Sequence, residues 1–563
     1  MPQCARYLLL ALSVPLTLQA QSGLPLKRPP RPTVAEITPG DLETRLYIFS
    51  DDSMQGREAG TPGNVKATAY IAAELKRLRV VPAGDSGTYF QTIPLKTRSF
   101  DTTSTLAVAG TPLVAFTDYV ALGPQPLERP MLASVYGGQL GDSAARLTPE
   151  QASDKLVVFR VPGGASRLRT LRAPPSVPGA AAVALVALDS LPRPFLAFLK
   201  RPRAFVDDYP GGAPVQASAF LITSAAAAKL FSTPLDQLTP GTVGASVASG
   251  VRFSVAPVAD PARNVVGIIP GSDPKLRGEY VAIGAHNDHL GFARPVDHDS
   301  IRIWNHVVRP EGADDAAKQA TPAQQAQVDS LLALFRATHA GAARVDSVDN
   351  GADDDGSGSV AALEIAEHIA SLTRKPKRSM LFVWHTGEEK GLLGSRFFTD
   401  HPSVPRDSIV AQLNMDMVGR GAASDETGRT KVGVALHGGP RYLQLVGSRR
   451  LSTELGDLIE RVNAQDRHQL SFDYAIDADG HPSNIYCRSD HYEYARYGIP
   501  ITFFTTGLHS DYHQVTDEPE YIDYEHMARV ATLVDDVALH VANLDHRLVV
   551  DQPRPNPSAP CRQ

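Results

Sequence analysis

The sequence predicts an α/β protein: a mainly parallel sheet covered by helices on both faces, with a β-rich module inserted near the start. Three observations carry this. After about residue 256, short β-type apolar runs alternate with segments of helical spacing. From about 101 to 255 the texture differs, with short apolar runs separated by Pro and Gly. The length, 563 residues, exceeds what one compact core usually holds.

The alternating part contains "YVAIGA" (280–285), "SMLFVW" (379–384), "IVAQLNM" (409–415) and "ITFFTT" (501–506) as strands. It contains "GSVAALEIAEHIASL" (358–372) and "YEHMARVATLVDDVALHVANL" (524–544) as helices. Met527, Val530, Val534, Val537 and Val541 keep one face of the latter apolar. A further helical pattern spans 64–79, with Ile71, Leu75 and Leu78 on one side. In the β-rich module, "KLVVFRV" at 155 and "GAAAVALVAL" at 179 are the clearest strands. Residues 292–349 interrupt the alternation and form an insertion, polar and poor in strand signal. It holds one clear helix, capped by Thr321 with Pro322 at its first position and a stripe of Val328, Leu331, Leu332 and Phe335.

At the start, Arg6, the apolar run Leu8 to Leu18 and Ala20 read as a secretory signal peptide over 1–20, too short to span a bilayer. A Pro-rich linker covers 21–33, and 549–563 is a Pro-rich tail. No later apolar run is long enough for a membrane helix, so no membrane association is expected after cleavage. A secreted or periplasmic location follows. Export makes one disulfide between Cys487 and Cys561 possible without establishing it. The net charge of -6 is small for this length and gives no reason to expect a nucleic-acid partner.

The chemistry gathers at the strand ends. "YVAIGA" runs into His286-Asn287-Asp288-His289, "SMLFVW" into His385-Thr386-Gly387-Glu388-Glu389, "IVAQLNM" into Asp416, and "ITFFTT" into a segment ending at His513. "NGADDDGSGS" (350–359) opens a helix. In an open α/β sheet ligands bind beyond the carboxyl ends of the strands. Dense carboxylate with histidine and no cysteine suits a hard to borderline divalent metal. Two such ions ~3.5–4 Å apart need a bridging carboxylate, and one aspartate of the triplet is placed to supply it. In Glu388-Glu389, one side chain can bind metal while the other faces water as a general base. Asp288, two residues beyond His286, is placed to hold the second ring nitrogen. "GADDAA" (312–317) lacks the glycines and apolar helix that follow the triplet, and reads as a solvated stretch, as do His298 and His306. His289 and His385 read as structural or supporting residues, and Trp384 as core. His491, in "RSDHYEYA", is either a contact to substrate or oxyanion or a core histidine, and Tyr512 is open in the same way. The sequence has no HExxH and no GxSxG, against a one-zinc thermolysin-like design and a serine hydrolase elbow.

"GAHNDHLG", "NGADDDGSGS", "HTGEEKGLLGS", "NMDMVGR" and "TGLHSDYHQVTD" occur in this order. Together they resemble the co-catalytic zinc exopeptidases of metallopeptidase family 28, which include leucyl aminopeptidases and glutamate carboxypeptidase. The resemblance covers roughly 35–100 and 256–545, in a catalytic domain expected over 34–100 and 256–548, with 101–255 at the place of a protease-associated-type domain. It implies a three-layer α/β/α sandwich with a mainly parallel mixed sheet, two zinc ions and a peptide substrate. It further implies His286 and Asp416 on one zinc, Glu389 and His513 on the other, Asp354 as bridge with a cis peptide bond to Asp355, Glu388 as general base, and Asp288 and Asp517 as orienters of His286 and His513. Aminopeptidase action is the first expectation, with carboxypeptidase or dipeptidase action, a glutaminyl-cyclase-like reaction and a non-catalytic receptor-type relative as alternatives. The 292–349 insertion departs from the family's pattern. Oligomeric state is not legible.

Overall fold

The computed structural model describes residues 28–563 apart from 123–124, 143–146, 165–174, 176, 208–217, 316–318, 340–342, 422–425, 430–434, 438 and 466–467. The signal-peptide segment and the first part of the linker lie outside the described residues. At the centre is a nine-stranded mixed sheet. Its middle consists of four parallel strands side by side: Ser379–His385, Tyr280–His286, Ile409–Met415 and Ile501–Thr505. The flanking strands Ala262–Ile269 and Tyr442–Val446 run antiparallel to their inner neighbours. All residues of three central strands, Ser379–His385, Ile409–Met415 and Ile501–Thr505, are buried, which is why they read as unbroken apolar runs.

Alternation along those strands splits their side chains between two cores. Val281, Ile283, Phe382, Trp384 and Leu413 pack in one with Leu46, Ile71, Val360 and Val534, which belong to helices Pro39–Phe49, Pro62–Arg77, Gly358–Ser371 and Tyr524–Asn543. Ala282, Leu381, Val383 and Phe503 pack in the other with Phe398 and Tyr494, from helices Leu393–Asp400 and His491–Ala495. The fold is therefore the three-layer α/β/α sandwich the sequence predicts, and Trp384 is core.

Between the helices on the first face, Arg45 is almost fully buried and pairs with Glu364, Glu367 and Glu74, tying three helices together. Residues of the 101–255 stretch build a second, eight-stranded sheet with its own core, around Tyr119, Leu132, Val158, Phe220 and Val247.

The 292–349 insertion differs from expectation. It contains an antiparallel pair, Gly291–Asp297 with Val345–Asp349, and two helices, His298–Val308 and Pro322–Thr338. A two-stranded ribbon has no buried face, so it carries no apolar alternation; Phe292 and Val345 stand exposed. Thr321 caps the helix as the sequence suggests, and the structure adds Gln324 to make a capping box, yet only Val328 of the stripe is buried, because the helix packs on its neighbour in the insertion and not on the sheet. Cys487 and Cys561 are joined in a disulfide that closes 74 residues and holds the tail against the turn before helix His491–Ala495. Gln563 adds hydrogen bonds to Ile476 and Tyr486. Among the described residues no helix is long and apolar enough to cross a membrane.

Removing the Arg45 charge leaves Glu364 buried without its counter-ion. Arg45→Ala should cost about 3–5 kcal/mol, and Arg45→Met combined with Glu364→Leu should recover most of it. Urea unfolding of the parent and both variants measures this; a single variant as stable as the parent refutes the ion-pair account.

Candidate metal and catalytic centre

The four parallel strands deliver their carboxyl ends to one edge, with His286 and His385 in register. The aspartate triplet arrives at the same edge from the loop before helix Gly358–Ser371, and its three carboxylates take different partners. Asp353 Oδ1 accepts the Gly419 amide at 2.6 Å, and its other oxygen lies 3.1 Å from His509 Nε2. Asp355 accepts the amides of His286 and Gly358, both at 2.9 Å. Asp354 faces two histidines, one with each oxygen: Oδ1 lies 3.0 Å from His286 Nε2 and Oδ2 3.0 Å from His513 Nε2. The Asp354–Asp355 peptide bond is cis.

Each side of Asp354 gains one more acid. Asp416 Oδ1 lies 3.7 Å from His286 Nε2, and its other oxygen accepts the Ser489 hydroxyl at 2.7 Å. Glu389 Oε2 lies 3.0 Å from His513 Nε2, and Oε1 lies 2.7 Å from His289 Nδ1. Glu388 lines the same cavity as Asp354 and Asp416. Burial pushes the Glu388 carboxyl well above its ordinary range; His286 opposes this, and Glu389 and Asp416 reinforce it. Asp354 behaves oppositely. Burial would raise it, but His286 and His513 hold it well below the usual carboxylate range.

His286 Nε2, both ring nitrogens of His289 and Glu389 Oε1 are buried and make no hydrogen bond of proper geometry, although carboxylates or imidazoles stand against them. Acceptors and ring nitrogens packed this way fit divalent cations. Two donor groups that share no residue result, His286 with Asp355 and Asp416, and His289 with Asp354 and Glu389. Both oxygens of Asp355 are already taken by backbone amides, so Asp354 is the better placed of the two.

The supporting residues differ from the sequence reading at several points. The nearest partner of His286 Nδ1 is the Asp288 backbone carbonyl at 3.1 Å, not the carboxylate at 3.7 Å. The Asp288 carboxylate instead accepts the Glu388 amide at 3.1 Å and so positions the Glu-Glu turn. Asp517 does not hold His513. Its Oδ2 accepts the amides of Asp353 and Asp354 at 2.9 and 3.0 Å, and Oδ1 meets Arg420. His289, read as a supporting residue, reaches Glu389 directly. His385 is buried against the Tyr494 hydroxyl at 2.9 Å. Arg57, which carried no sequence signal, donates to the carbonyls of Asn350 and Gly351 and shapes the entrance to the triplet. Gly351 is required there, since a Cβ would lie 2.2 Å from the Asp354 carbonyl and 2.5 Å from the His289 ring.

"RSDHYEYA" contributes Arg488 and Ser489 to the site and not His491. The helix begun at His491 turns that ring into the apolar layer, stacked on Phe503 at 4.8 Å, while Phe503 itself lines the cavity. Tyr512 lines the cavity, stacks on His513 and lies 3.2 Å from Arg488. Asp314, in the stretch read as solvated, grips Arg488 with two hydrogen bonds of 2.5 and 2.9 Å. His298 is fully buried as well, whereas His306 is exposed.

Burial lowers the His491 imidazole to about 3, below its ordinary 6.5, so the folded state disfavours its protonation. The resulting stability is present above the ordinary value and is lost as pH falls from there toward the folded value. Between about pH 7.5 and about pH 5 the parent should lose about 2 kcal/mol more than His491→Phe in denaturant unfolding. Equal losses would show that this ring is not an acid-sensitive element.

Residues 328–538 match the family model described as Peptidase family M28. Leupeptin-inactivating enzyme 1 of Streptomyces exfoliatus is 38% identical over 78 residues, 13% of this chain and 18% of that protein. Leucine aminopeptidase 1 of Paracoccidioides brasiliensis (strain Pb03) is 30% identical over 196 residues, 32% of this chain and 44% of that protein. The chain thus spans less than half the length of these curated relatives. Among solved structures, an aminopeptidase from Aneurinibacillus sp. strain AM-1 aligns over 92% of this chain and 98% of its own at 18% identity, with a TM-score of 0.48. The stretch that carries Asp354, Glu388, Glu389, Asp416 and His513 is a peptidase family M28 domain.

Proposed function

We propose that this chain is an exported two-zinc exopeptidase that acts as an aminopeptidase. The observation that carries the reading is Asp354, whose two oxygens each face a different histidine at 3.0 Å, with Asp416 beyond one and Glu389 beyond the other. His286 and Asp416 would hold one ion, Glu389 and His513 the second, and Asp354 would be shared, with His289 beside the second. Zinc bound there would polarise a peptide carbonyl and lower the pKa of water at neutral pH.

The protein's own part follows from its geometry. Glu388, held above its ordinary range by burial, takes a proton from the attacking water and returns it to the leaving amine. Asp288 fixes the backbone from which Glu388 projects. Tyr512, at the cavity wall, would steady the developing oxyanion. His491 is given no part in this, because its ring stacks on Phe503 and does not line the cavity.

The cavity supports an apolar side chain as the preferred one. Ile476, Ile485, Phe503 and Leu508 line it beside the acids. Arg488, also in the lining, favours the carboxypeptidase alternative, since a guanidinium can grip a substrate carboxylate. Asp314 already occupies it in a two-pronged pair, which weighs against that reading. The signal-like segment over 1–20 and the Cys487–Cys561 disulfide both support export to an oxidising compartment.

Glu388→Gln should keep the parent's metal content while kcat on an aminoacyl-amide falls by about 10²–10⁴. Parent-like turnover in that variant would remove Glu388 from the mechanism, and failure of a chelator to abolish turnover of the parent would remove the metals. Asp314→Ala should free Arg488 and raise kcat/KM for acidic residues relative to leucine by about tenfold, on the scale of one charge-assisted hydrogen bond. An unchanged ratio would mean that Arg488 does not meet the substrate side chain.

A further inference from the structure

We infer that His298, Asp346 and Glu518 form a third cation site, separate from the centre around Asp354, that takes a borderline divalent ion such as zinc. One donor atom from each of these residues lies within 4.8 Å of the other two. They come from three segments: the start of helix His298–Val308, strand Val345–Asp349, and the loop that follows His513.

The histidine carries the argument. Its ring is fully buried and stacks on Tyr521. Nδ1 lies 3.1 Å from Asp299 Oδ1, which fixes the proton on that nitrogen and leaves a lone pair on Nε2. Nε2 is buried and makes no hydrogen bond among the described residues. With Nδ1 turned to Asp299, Nε2 is the nitrogen left to join the carboxylates of Asp346 and Glu518, and a cation would bind all three. A carboxylate behind the outer nitrogen of a ligating imidazole is the usual support for a metal-bound histidine. One imidazole and two carboxylates, without thiolate, is a donor set for zinc or a neighbouring divalent ion.

The acids are held in place before any ion arrives. Asp346 Oδ1 accepts the amides of Ser347 and Val348 at 2.7 and 3.1 Å. Glu518 Oε1 accepts from Asn350 at 3.0 Å and lies 3.4 Å from Arg344. Arg344 offsets one negative charge, but Asp299, Asp346 and Glu518 together outnumber it. Asp299, Arg344, Glu520 and Tyr521, which neighbour the three ligands, line a groove of about 870 Å³.

The position gives the ion a structural task. Glu518 follows Asp517, which holds the amides of Asp353 and Asp354, and Asn350 begins the triplet loop. An ion on His298 and Asp346 therefore fastens the 292–349 insertion to the two segments that brace Asp354.

The test is zinc content of the full-length protein after equilibration with excess zinc and gel filtration, measured by elemental analysis. His298→Ala and the near-isosteric Asp346→Asn should each contain one equivalent fewer than the parent, whatever the parent's total. They should also lose the part of the zinc-induced rise in Tm that the parent shows. Asp299→Asn, which touches no proposed ligand atom of the acids, should weaken zinc at this site by about 10- to 100-fold in a chelator competition. Zinc content equal to the parent's in folded Asp346→Asn overturns the site. Loss of more than one equivalent overturns its independence from the Asp354 centre.

Discussion

The structure turns on how acids are kept together without water. Asp353, Asp354, Asp355, Glu388, Glu389 and Asp416 all sit at one edge of the central sheet, mostly shielded from solvent. At an effective dielectric near ~20, two like charges about 4 Å apart repel by roughly 4 kcal/mol. The protein meets this by assigning each acid a different partner. Asp353 and Asp355 face inward to backbone amides, Asp517 pulls the amides of the triplet itself into line, and Asp354 is left to face His286 and His513. Two carboxylates thus become framework so that the one between them can be the site.

The parallel direction of the four central strands makes this possible. Strands that run the same way all end at the same edge, so residues far apart in the chain arrive within hydrogen-bonding range of one another. His286, Glu389 and Asp416 each lie within a few residues of a strand's last position. The burial that makes these strands uniformly apolar also supplies the low-dielectric floor on which a perturbed carboxyl such as Glu388 becomes useful. The two insertions bear on this edge differently. The eight-stranded module has a core of its own, whereas the 292–349 insertion reaches the edge, with Asp314 on Arg488 and Asp346 beside Glu518.

Much of this was legible in the sequence, and the exceptions share a cause. Long apolar strands and an amphipathic helix such as Tyr524–Asn543 announce themselves because burial against a sheet imposes a period. The ribbon Gly291–Asp297 with Val345–Asp349 imposes none, so it did not show. His491 and His289 looked alike as polar residues near motifs. The turn into helix His491–Ala495 sent one into the apolar layer, while the chain beyond strand Tyr280–His286 carried the other to Glu389. Arg57, Arg420 and Asp314 act through partners hundreds or scores of residues away, and no local pattern encodes such a pairing.

By itself, the chain's order of residues determined the α/β alternation, the candidate ligands at strand ends and the glycines that let the triplet turn, because each is a matter of local period, burial or backbone freedom. Tertiary structure alone decided which atom of Asp288 meets His286, which backbone Asp517 braces, whether Cys487 finds Cys561, and how Asp346 and Glu518 from separate segments come to stand with the buried imidazole of His298. These are distances between segments remote in sequence, and only the closed packing of helices on the sheet sets them.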